Sequence, residues 1–257
     1  MLELASLDAY AFAKTWYAPE MSRPGCAWTH TFIIPASVMG RIVSFGTVRP
    51  LFRRPNGQFI RDAYSQPVVL DPDPSIRECE DEPDRGANVR AFMSAHYGRE
   101  SRSLIIPAAD SDQYADVILA AWSQKWPALR LSFTFCTGSL SARVFEGRPL
   151  DVQCVPVAAA RQVSREVAES GDATVLETVA DECPEWVRAA GTDAMQVAGG
   201  PVRRFLWSVA DADSVRADFE SFVRIYNGLN EPMAPSRILD LSAEMFPSPK
   251  EGRGSSQ

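Results

Sequence analysis

A cysteine and a histidine four positions apart are the first residues whose types could carry out a reaction. Cys26 and His30 lie in the stretch "RPGCAWTHTFII", residues 23–34, and His30 is one of only two histidines among 257 residues. A thiol activated by an imidazole is the nucleophile of cysteine-dependent hydrolases and transferases, and the two groups must approach within about 2.6–3.2 Å. Whether they can do so depends on the element that carries them.

The stretch that begins at Cys26 has the composition of a β-strand. Thr, Trp, Phe and Ile favour a pleated surface, and a Pro-Gly pair and a further proline bound the run. In a strand, residues four positions apart share a face but lie about 13 Å from each other, at roughly 3.3 Å per residue. We therefore predict a strand over residues 26–34, with a hydrogen-bonded His30 on its core-facing side and no local dyad with Cys26.

The other cysteine–histidine combinations require the fold to bring distant segments together. His96 lies beside an apolar helical stripe, which predicts a packed histidine, and Cys136 follows a run of alternating apolar residues. A cysteine-dependent hydrolase or transferase that pairs Cys26 or Cys136 with His30 or His96 is the alternative function. No two cysteines have the close spacing of structural zinc ligands, so no metal and no other cofactor is predicted.

Four arginines surround a proline-rich loop and are candidates for binding a partner. Arg49, Arg53, Arg54 and Arg61 can form a solvated face, or a docking patch for an acidic partner or a phosphate. The chain contains neither the motif G-x-x-x-x-G-K-[ST] nor G-x-G-x-x-G after a strand. The chain is therefore not predicted to be a P-loop nucleotide hydrolase.

The composition is that of a globular protein with an acidic balance. Apolar residues make up 46% and charged residues 23% of the chain, and the net charge is −7. Excess negative charge argues against binding nucleic acid or an anionic membrane. No apolar run approaches the roughly 20 residues that span a bilayer, and the first ten residues do not form a signal peptide. Five irregularly spaced cysteines suit free thiols in a reducing cytoplasm.

The hydrophobic patterns predict mixed elements in residues 1–157. Alternation and short apolar runs predict strands, and apolar residues at helical spacing predict helices. An exposed acidic loop is predicted for residues 71–88. The predicted strands are residues 26–34, 103–107, 129–135 and 151–157, and the predicted helices are residues 7–16, residues 89–97 and a segment that starts at Asp110 or Ser111 and carries Trp122 on its apolar stripe.

Helical patterns dominate after residue 157. The predicted helices are residues 175–190, 202–209, 214–229 and 238–246. The polar end of the chain, residues 248–257, is predicted to be disordered. The fold class is therefore α+β: a sheet-and-helix domain over residues 1–157, then a smaller, mainly helical segment over residues 158–247.

Two blocks of sequence also carry a family resemblance. The blocks are "AKTWYAPEMSRPGCAWTHTFII" and "AAWSQKWPALRLSFTFCTGSL", the second followed by "DVQCVP". The positions that carry it are Trp16, Arg23, Gly25, Cys26, Trp28, His30, Trp122, Arg130, Phe133, Phe135 and Gly138. At these positions the chain resembles the N-terminal domain, second type, of bacterial GTPase-associated protein 1, over roughly residues 7–157. The later stretch "GGPVRRFLWSVADAD" is similar to that family's middle domain.

The resemblance implies a role in multi-protein bacterial conflict systems that are encoded around GTPases and resemble antiviral defence modules. Because family members carry further sequence before the first block, we expect a short, divergent or truncated member. The expected function is a non-enzymatic, cytoplasmic adaptor for a GTPase or an effector protein. The expected contact regions are the arginine loop, residues 49–61, and the C-terminal helices. A third reading is recognition of nucleic acid or a phage-derived ligand.

Overall fold

The computed structural model describes residues 2–4, 8–42, 47–55, 62–69, 84–98, 103–110, 112–176, 183–196 and 199–230, and the single positions 236, 239, 240 and 243. The strands are β1 Leu2–Leu4, β2 Ala9–Tyr17, β3 Ala27–Pro35, β4 Ser103–Ala108, β5 Phe135–Cys136, β6 Val144–Phe145, β7 Arg148–Pro149, β8 Val152–Pro156 and β9 Ala173–Val175. The helices are α1 Ala36–Met39, α2 Asp62–Ser65, α3 Arg85–Tyr97, α4 Ala115–Gln124, α5 Pro127–Ser132, α6 Ala160–Ala168, α7 Glu185–Ala194, α8 Pro201–Val209 and α9 Asp218–Asn230.

The first sheet is an antiparallel meander of β1, β2 and β3. The two long strands pair over nine residues each, from Ala9 opposite Pro35 to Tyr17 opposite Ala27. The predicted strand over residues 26–34 is confirmed. The predicted helix over residues 7–16 is wrong, because β2 occupies those positions. There, small alanines alternate with large side chains along the chain, and this period of two belongs to a strand rather than a helix.

The second sheet is parallel, with strand order β5-β8-β4-β9. Its central strand β4 is buried on both faces, which suits the near-continuous apolar run "SLIIP". Leu104 and Ile106 face the main core, whereas Ile105 packs with Val163 and Val167 of α6 on the other side. The strands predicted over residues 103–107 and 151–157 are confirmed in substance.

The predicted strand over residues 129–135 is wrong. Pro127 stands at the first position of α5, where its fixed φ favours a helical start, and this helix runs to Ser132 before the short strand β5. The helical turn carries Leu129 and Arg130 into the core. Alternating apolar residues could not reveal this, because the interior position of Arg130 depends on partners from distant parts of the chain.

Helices α3, α4, α7, α8 and α9 pack in the core on the face of the parallel sheet that carries Leu104 and Ile106. The helices predicted over residues 89–97, after residues 110–111, and over residues 202–209 and 214–229 are confirmed within a few residues. The helix predicted over residues 175–190 is only partly right, because β9 ends at Val175 and α7 begins after Pro184. No helix among the described residues is long and apolar enough to cross a membrane.

Several other predicted segments lie outside the described residues. They include most of the acidic loop, nearly all of residues 238–246, and the tail over residues 248–257. Arg61 and Cys79 also lie there.

One hydrophobic core contains residues from both sides of the domain boundary predicted at residue 157. It contains Phe12 of the hairpin and Trp122 of α4, and also Val202 of α8 and Phe219 of α9. In addition, β9 pairs with β4 across the suggested boundary at residue 157. The mixed α+β class is confirmed, and the boundary does not separate two hydrophobic cores among the described residues. The division into two domains itself stays a prediction.

Candidate partner-binding surface

The hairpin formed by β2 and β3 presents two different faces. Side chains alternate along a strand, and residues opposite each other in an antiparallel pair share a face. The pairs on the inner face are Tyr10–Ile34, Phe12–Phe32, Lys14–His30 and Trp16–Trp28. The residues on the outer face are Ala11, Ala13, Thr15, Tyr17, Ala27, Thr29, Thr31 and Ile33.

The inner face is covered by the loop that follows the short 3-10 turn Arg49–Leu51. The ring centroid of Phe52 lies 4.9 Å from those of both Phe12 and Phe32. His30 Nδ1 accepts a hydrogen bond of 3.1 Å from the backbone N–H of Arg53. His30 is thus hydrogen-bonded, as predicted, but it is half-buried beneath a loop rather than in the core. Burial lowers the pKa of His30, and the positive charge of Arg53 lowers it further.

Glu20 fixes the same loop to the tip of the hairpin. Its carboxylate accepts hydrogen bonds from the Trp28 indole at 2.9 Å and from the Arg54 guanidinium at 2.7 Å. Arg54 also donates to the carbonyl of Tyr17 at 3.1 Å. A hydrogen bond from its own backbone, together with these two donors, lowers the pKa of the Glu20 carboxyl. Trp28, a position of the family resemblance, therefore positions the loop.

The arginine candidates differ in what they contact. Arg49 forms ion pairs with Asp112, at 3.7 Å, and with Asp116, and so ties the 3-10 turn to the beginning of α4. Arg54 is engaged by Glu20. Arg53 has an exposed side chain that forms no ion pair within the described part of the chain. Of the described arginines in this group, Arg53 is therefore the one best placed to contact a partner.

The second block of the family resemblance is mostly buried. The Arg130 guanidinium lies between the rings of Trp122 and Trp207, 4.3 and 4.4 Å from their centroids. Phe133 and Phe135 belong to the core. In contrast, Gly138 is exposed, and its carbonyl accepts a hydrogen bond from the thiol of Cys136. The sequence gives no signal for Trp207, which is 77 positions from Arg130.

The structure does not assemble a cysteine–histidine dyad from the four candidates. His30 Nδ1 accepts from the Arg53 backbone, and His96 Nε2 lies 3.1 Å from the Lys125 amine. Within the described ranges no hydrogen bond joins Cys26 or Cys136 to either histidine. The described His, Cys, Asp and Glu side chains also form no group of three or more that could hold a metal ion.

The outer face of the hairpin is open and uncharged. Tyr17 is 63% exposed and Ile33 is 53% exposed. Between them, the Thr15 and Thr29 hydroxyls share a hydrogen bond of 2.9 Å. These two apolar side chains lie at opposite ends of the face, since Tyr17 pairs with Ala27 and Ile33 pairs with Ala11, and alanines and threonines lie between them. An open, uncharged sheet face is suited to contact with another protein. The sequence could not show this surface, because residues 7–16 suggested a helix and the face exists only when β2 pairs with β3.

The comparison with protein families points to the same part of the chain. A family model described as GTPase-associated protein 1, N-terminal domain type 1, matches residues 1–52. No curated protein matches the chain at a significant level, and neither does any solved structure. The resemblance to the N-terminal domain of GTPase-associated protein 1 is thus confirmed over the first sheet and the turn after it. The second type and the middle domain stay predictions.

Proposed function

We propose that this chain is a non-enzymatic adaptor that binds a GTPase or an effector protein through the outer face of the β2–β3 hairpin. The proposal rests on the overlap between the family match and the open face of the hairpin. The residues that match the GTPase-associated family model, 1–52, include the whole of the open, uncharged sheet face. The setting we propose is a bacterial conflict system of the defence type, in the cytoplasm.

The chemistry of the face favours a protein partner. Tyr17 and Ile33 supply apolar contact area, while the alanines and threonines between them let a partner approach the sheet closely. The strands are rigid, so little conformational entropy is lost when they bind. Charged ligands such as nucleic acid would find no basic side chain on this face.

The dimensions of the face define its share of the interface. Nine residues at roughly 3.4 Å each give a length of about 30 Å, and two strands give a width of about 10 Å. The resulting area of about 300 Å² is less than half of the roughly 800 Å² that each partner buries in a stable complex. The face would therefore form one part of the interface, and further surface residues around it would supply the rest.

The non-enzymatic part of the proposal rests on the engagement of the candidate catalytic groups. One ring nitrogen of each candidate histidine is engaged: His30 Nδ1 accepts from the Arg53 backbone, and His96 Nε2 lies 3.1 Å from the Lys125 amine. The thiol of the candidate nucleophile Cys136 donates a hydrogen bond to the carbonyl of Gly138. Rapid iodoacetamide labelling of one cysteine at about pH 6, lost in a His30→Gln or His96→Gln variant, would instead support a cysteine-dependent enzyme.

A pull-down with a GTPase from the gene neighbourhood of this chain, once that neighbourhood is sequenced, tests the adaptor function. The purified GTPase is loaded with GDP or with a non-hydrolysable GTP analogue and passed over the immobilised chain. We expect a complex in at least one nucleotide state. The absence of a complex in both states, with the GTPase shown to be folded and loaded, would contradict the proposal.

A further inference from the structure

A cavity of about 370 Å³ lies between the end of α4, the residue before β8 and the loop that leads into α9. Its wall includes His96, Lys125, Phe133, Asp151 and Arg216. The volume falls in the ordinary range of small-molecule sites. These residues come from five separate segments and none lies on the outer face of the hairpin, so this site is distinct from the proposed partner surface.

The amine of Lys125 is the central polar group of this wall. Lys125 has no exposed surface, and its Nζ donates to the Tyr97 hydroxyl at 2.6 Å and lies 3.1 Å from His96 Nε2. The rings of Tyr97 and Phe133 lie 4.5 and 4.4 Å from the same nitrogen. Within the described part of the chain, no carboxylate lies within ion-pair distance of this amine. A buried lysine without an ion-pair partner is unfavourable, which suggests that it is kept for a ligand.

His96 provides a second unsatisfied group. Its side chain is almost completely buried, and its Nδ1 has no hydrogen-bond partner. Buried polar atoms in folded proteins are nearly always paired, and exceptions often mark functional sites. Beneath one cavity, the described residues therefore hold a lysine without an ion-pair partner and a histidine with one unpaired ring nitrogen.

Asp151 and Arg216 stand at the same cavity. Asp151 Oδ2 accepts hydrogen bonds from the backbone N–H of Thr134 at 2.8 Å and from its hydroxyl at 3.0 Å. The other oxygen lies 4.0 Å from the Arg216 guanidinium. The cavity wall therefore carries one carboxylate beside Arg216, with Lys125 and His96 in the same wall.

We propose that this cavity binds a small organic anion, with a carboxylate or phosphate group near Lys125, His96 and Arg216 and an apolar part against Phe133 and Val215. The anion places negative charge beside Arg216 and close to the buried amine of Lys125. Leu129 and Ala128 add further apolar wall. A cationic ligand is disfavoured, because Arg216 already lies beside the carboxylate of this site.

Binding should be coupled to proton uptake. Burial holds the pKa values of Lys125 and His96 well below their ordinary values, and burial raises the pKa of Asp151. The groups that face the amine are His96 and Tyr97 from α3, Asp151 before β8 and Arg216 before α9. An anion favours the protonated forms of the lysine and the histidine, so it raises both pKa values and takes up a proton.

Isothermal titration of the full chain with benzoate and phenyl phosphate tests the site. Benzyl alcohol, which has the ring but no charge, is the control ligand. We expect either or both anions to bind and the alcohol not to bind. Benzoate affinity should rise as the pH falls from about 8 to about 6, by up to about tenfold per pH unit for one proton taken up. The heats should differ between buffers of different ionisation enthalpy.

Three variants test whether the anions bind in this cavity. Arg216→Gln should weaken anion binding at least about tenfold, because it removes the cation at the cavity. Val215→Trp keeps every charged group but fills the cavity, and it should abolish binding. Arg224→Gln, on the exposed surface of α9, should bind like the parent chain. Absence of heat with both anions, equal binding of the alcohol, or unchanged affinity in both Arg216→Gln and Val215→Trp would each overturn the proposal.

Discussion

Arg130 brings together contacts from distant parts of the chain. Its guanidinium donates to the carbonyls of Met39 at 3.2 Å, Ile42 at 2.6 Å and Ser123 at 2.7 Å, and it is stacked between Trp122 and Trp207. Burial lowers the pKa of this guanidinium. Carbonyl oxygens and ring faces offset its charge, since the described residues place no carboxylate in an ion pair with it.

Replacing Arg130 should strongly destabilise the fold. Arg130→Met leaves the buried carbonyls of Ile42 and Ser123 without this donor, at roughly 1–3 kcal/mol for each buried group that is not rescued by water, whereas the carbonyl of Met39 still accepts from the Ile42 backbone at 3.4 Å. We expect a loss of about 3 kcal/mol or more in the free energy of unfolding, measured by urea denaturation. Arg224→Met is the matched control, because its ion pair with Glu220 is exposed and contributes at most about 0.5 kcal/mol. Similar losses in both variants would show that Arg130 is not a structural centre.

His96 should make stability depend on pH. Burial is the main cause that holds its pKa in the folded chain well below the ordinary 6.5, and Lys125 and Arg216 act in the same direction. The unfolded chain therefore binds a proton that the folded chain does not. Stability from this group is fully present above about pH 6.5 and is lost as the pH falls, by up to about 1.4 kcal/mol per pH unit.

The comparison with His96→Gln isolates this effect. Urea denaturation of both proteins at several pH values between about 7.5 and 5.5 gives the difference in stability as a function of pH. We expect the parent chain to lose stability relative to the variant as the pH falls. Parallel pH profiles for the two proteins would mean that the pKa of His96 is the same in the folded and unfolded chains, which would contradict the prediction.

At the scale of elements, a side chain of the preceding helix α7 caps the N-terminus of α8. Asp193 of α7 accepts hydrogen bonds from the backbone N–H groups of Val202 at 2.8 Å and Arg203 at 3.1 Å, which the helix itself cannot satisfy. The same carboxylate accepts a hydrogen bond from the Gln124 amide at 2.7 Å, so this one side chain connects α4, α7 and α8. Asp193 is also buried, which makes each of these hydrogen bonds costly to lose.

Gly200 makes this arrangement possible. A Cβ atom at this position would lie 1.9 Å from Asp193 Oδ1, far inside contact distance. Gly200→Ala should therefore displace the carboxylate and cost about 1–3 kcal/mol in thermal or urea unfolding. Gly171→Ala is the control, because a Cβ there meets no atom within 4 Å, and it should be neutral or slightly stabilising. Equal stability of the two variants would contradict the capping role of Asp193.

Elements with a local signal could be predicted from the sequence, and those with distant partners could not. The strand that contains His30 and the helix that contains Trp122 show their periods within about ten residues, so both predictions are confirmed. The prediction of a strand over residues 129–135 failed because the buried position of Arg130 in α5 depends on contacts with Met39, Ile42 and Trp207. The cavity could not be predicted at all, because its groups are gathered from positions 96, 125, 151 and 216.

At the scale of the whole molecule, the hairpin is attached firmly to the rest of the chain. The Tyr10 hydroxyl donates to the carbonyl of Phe133, and the ring of Phe12 lies 6.4 Å from that of Phe135. Phe133 and Phe135 in turn belong to the core that includes α8 and α9. The outer face of the hairpin is thus presented on a fixed support, which suits a surface that must fit a partner without rearrangement.

The most direct test of the adaptor function compares two exposed strand residues in binding to a GTPase from the gene neighbourhood of this chain. Ile33 lies on the outer face of the hairpin and is 53% exposed, whereas Val144 lies on the separate β6–β7 hairpin and is 61% exposed. Ile33→Asp places a charge in the proposed interface and should weaken the complex at least about tenfold in a titration of purified proteins. Val144→Asp should bind like the parent chain. Equal affinities of the two variants would contradict a partner site on this face.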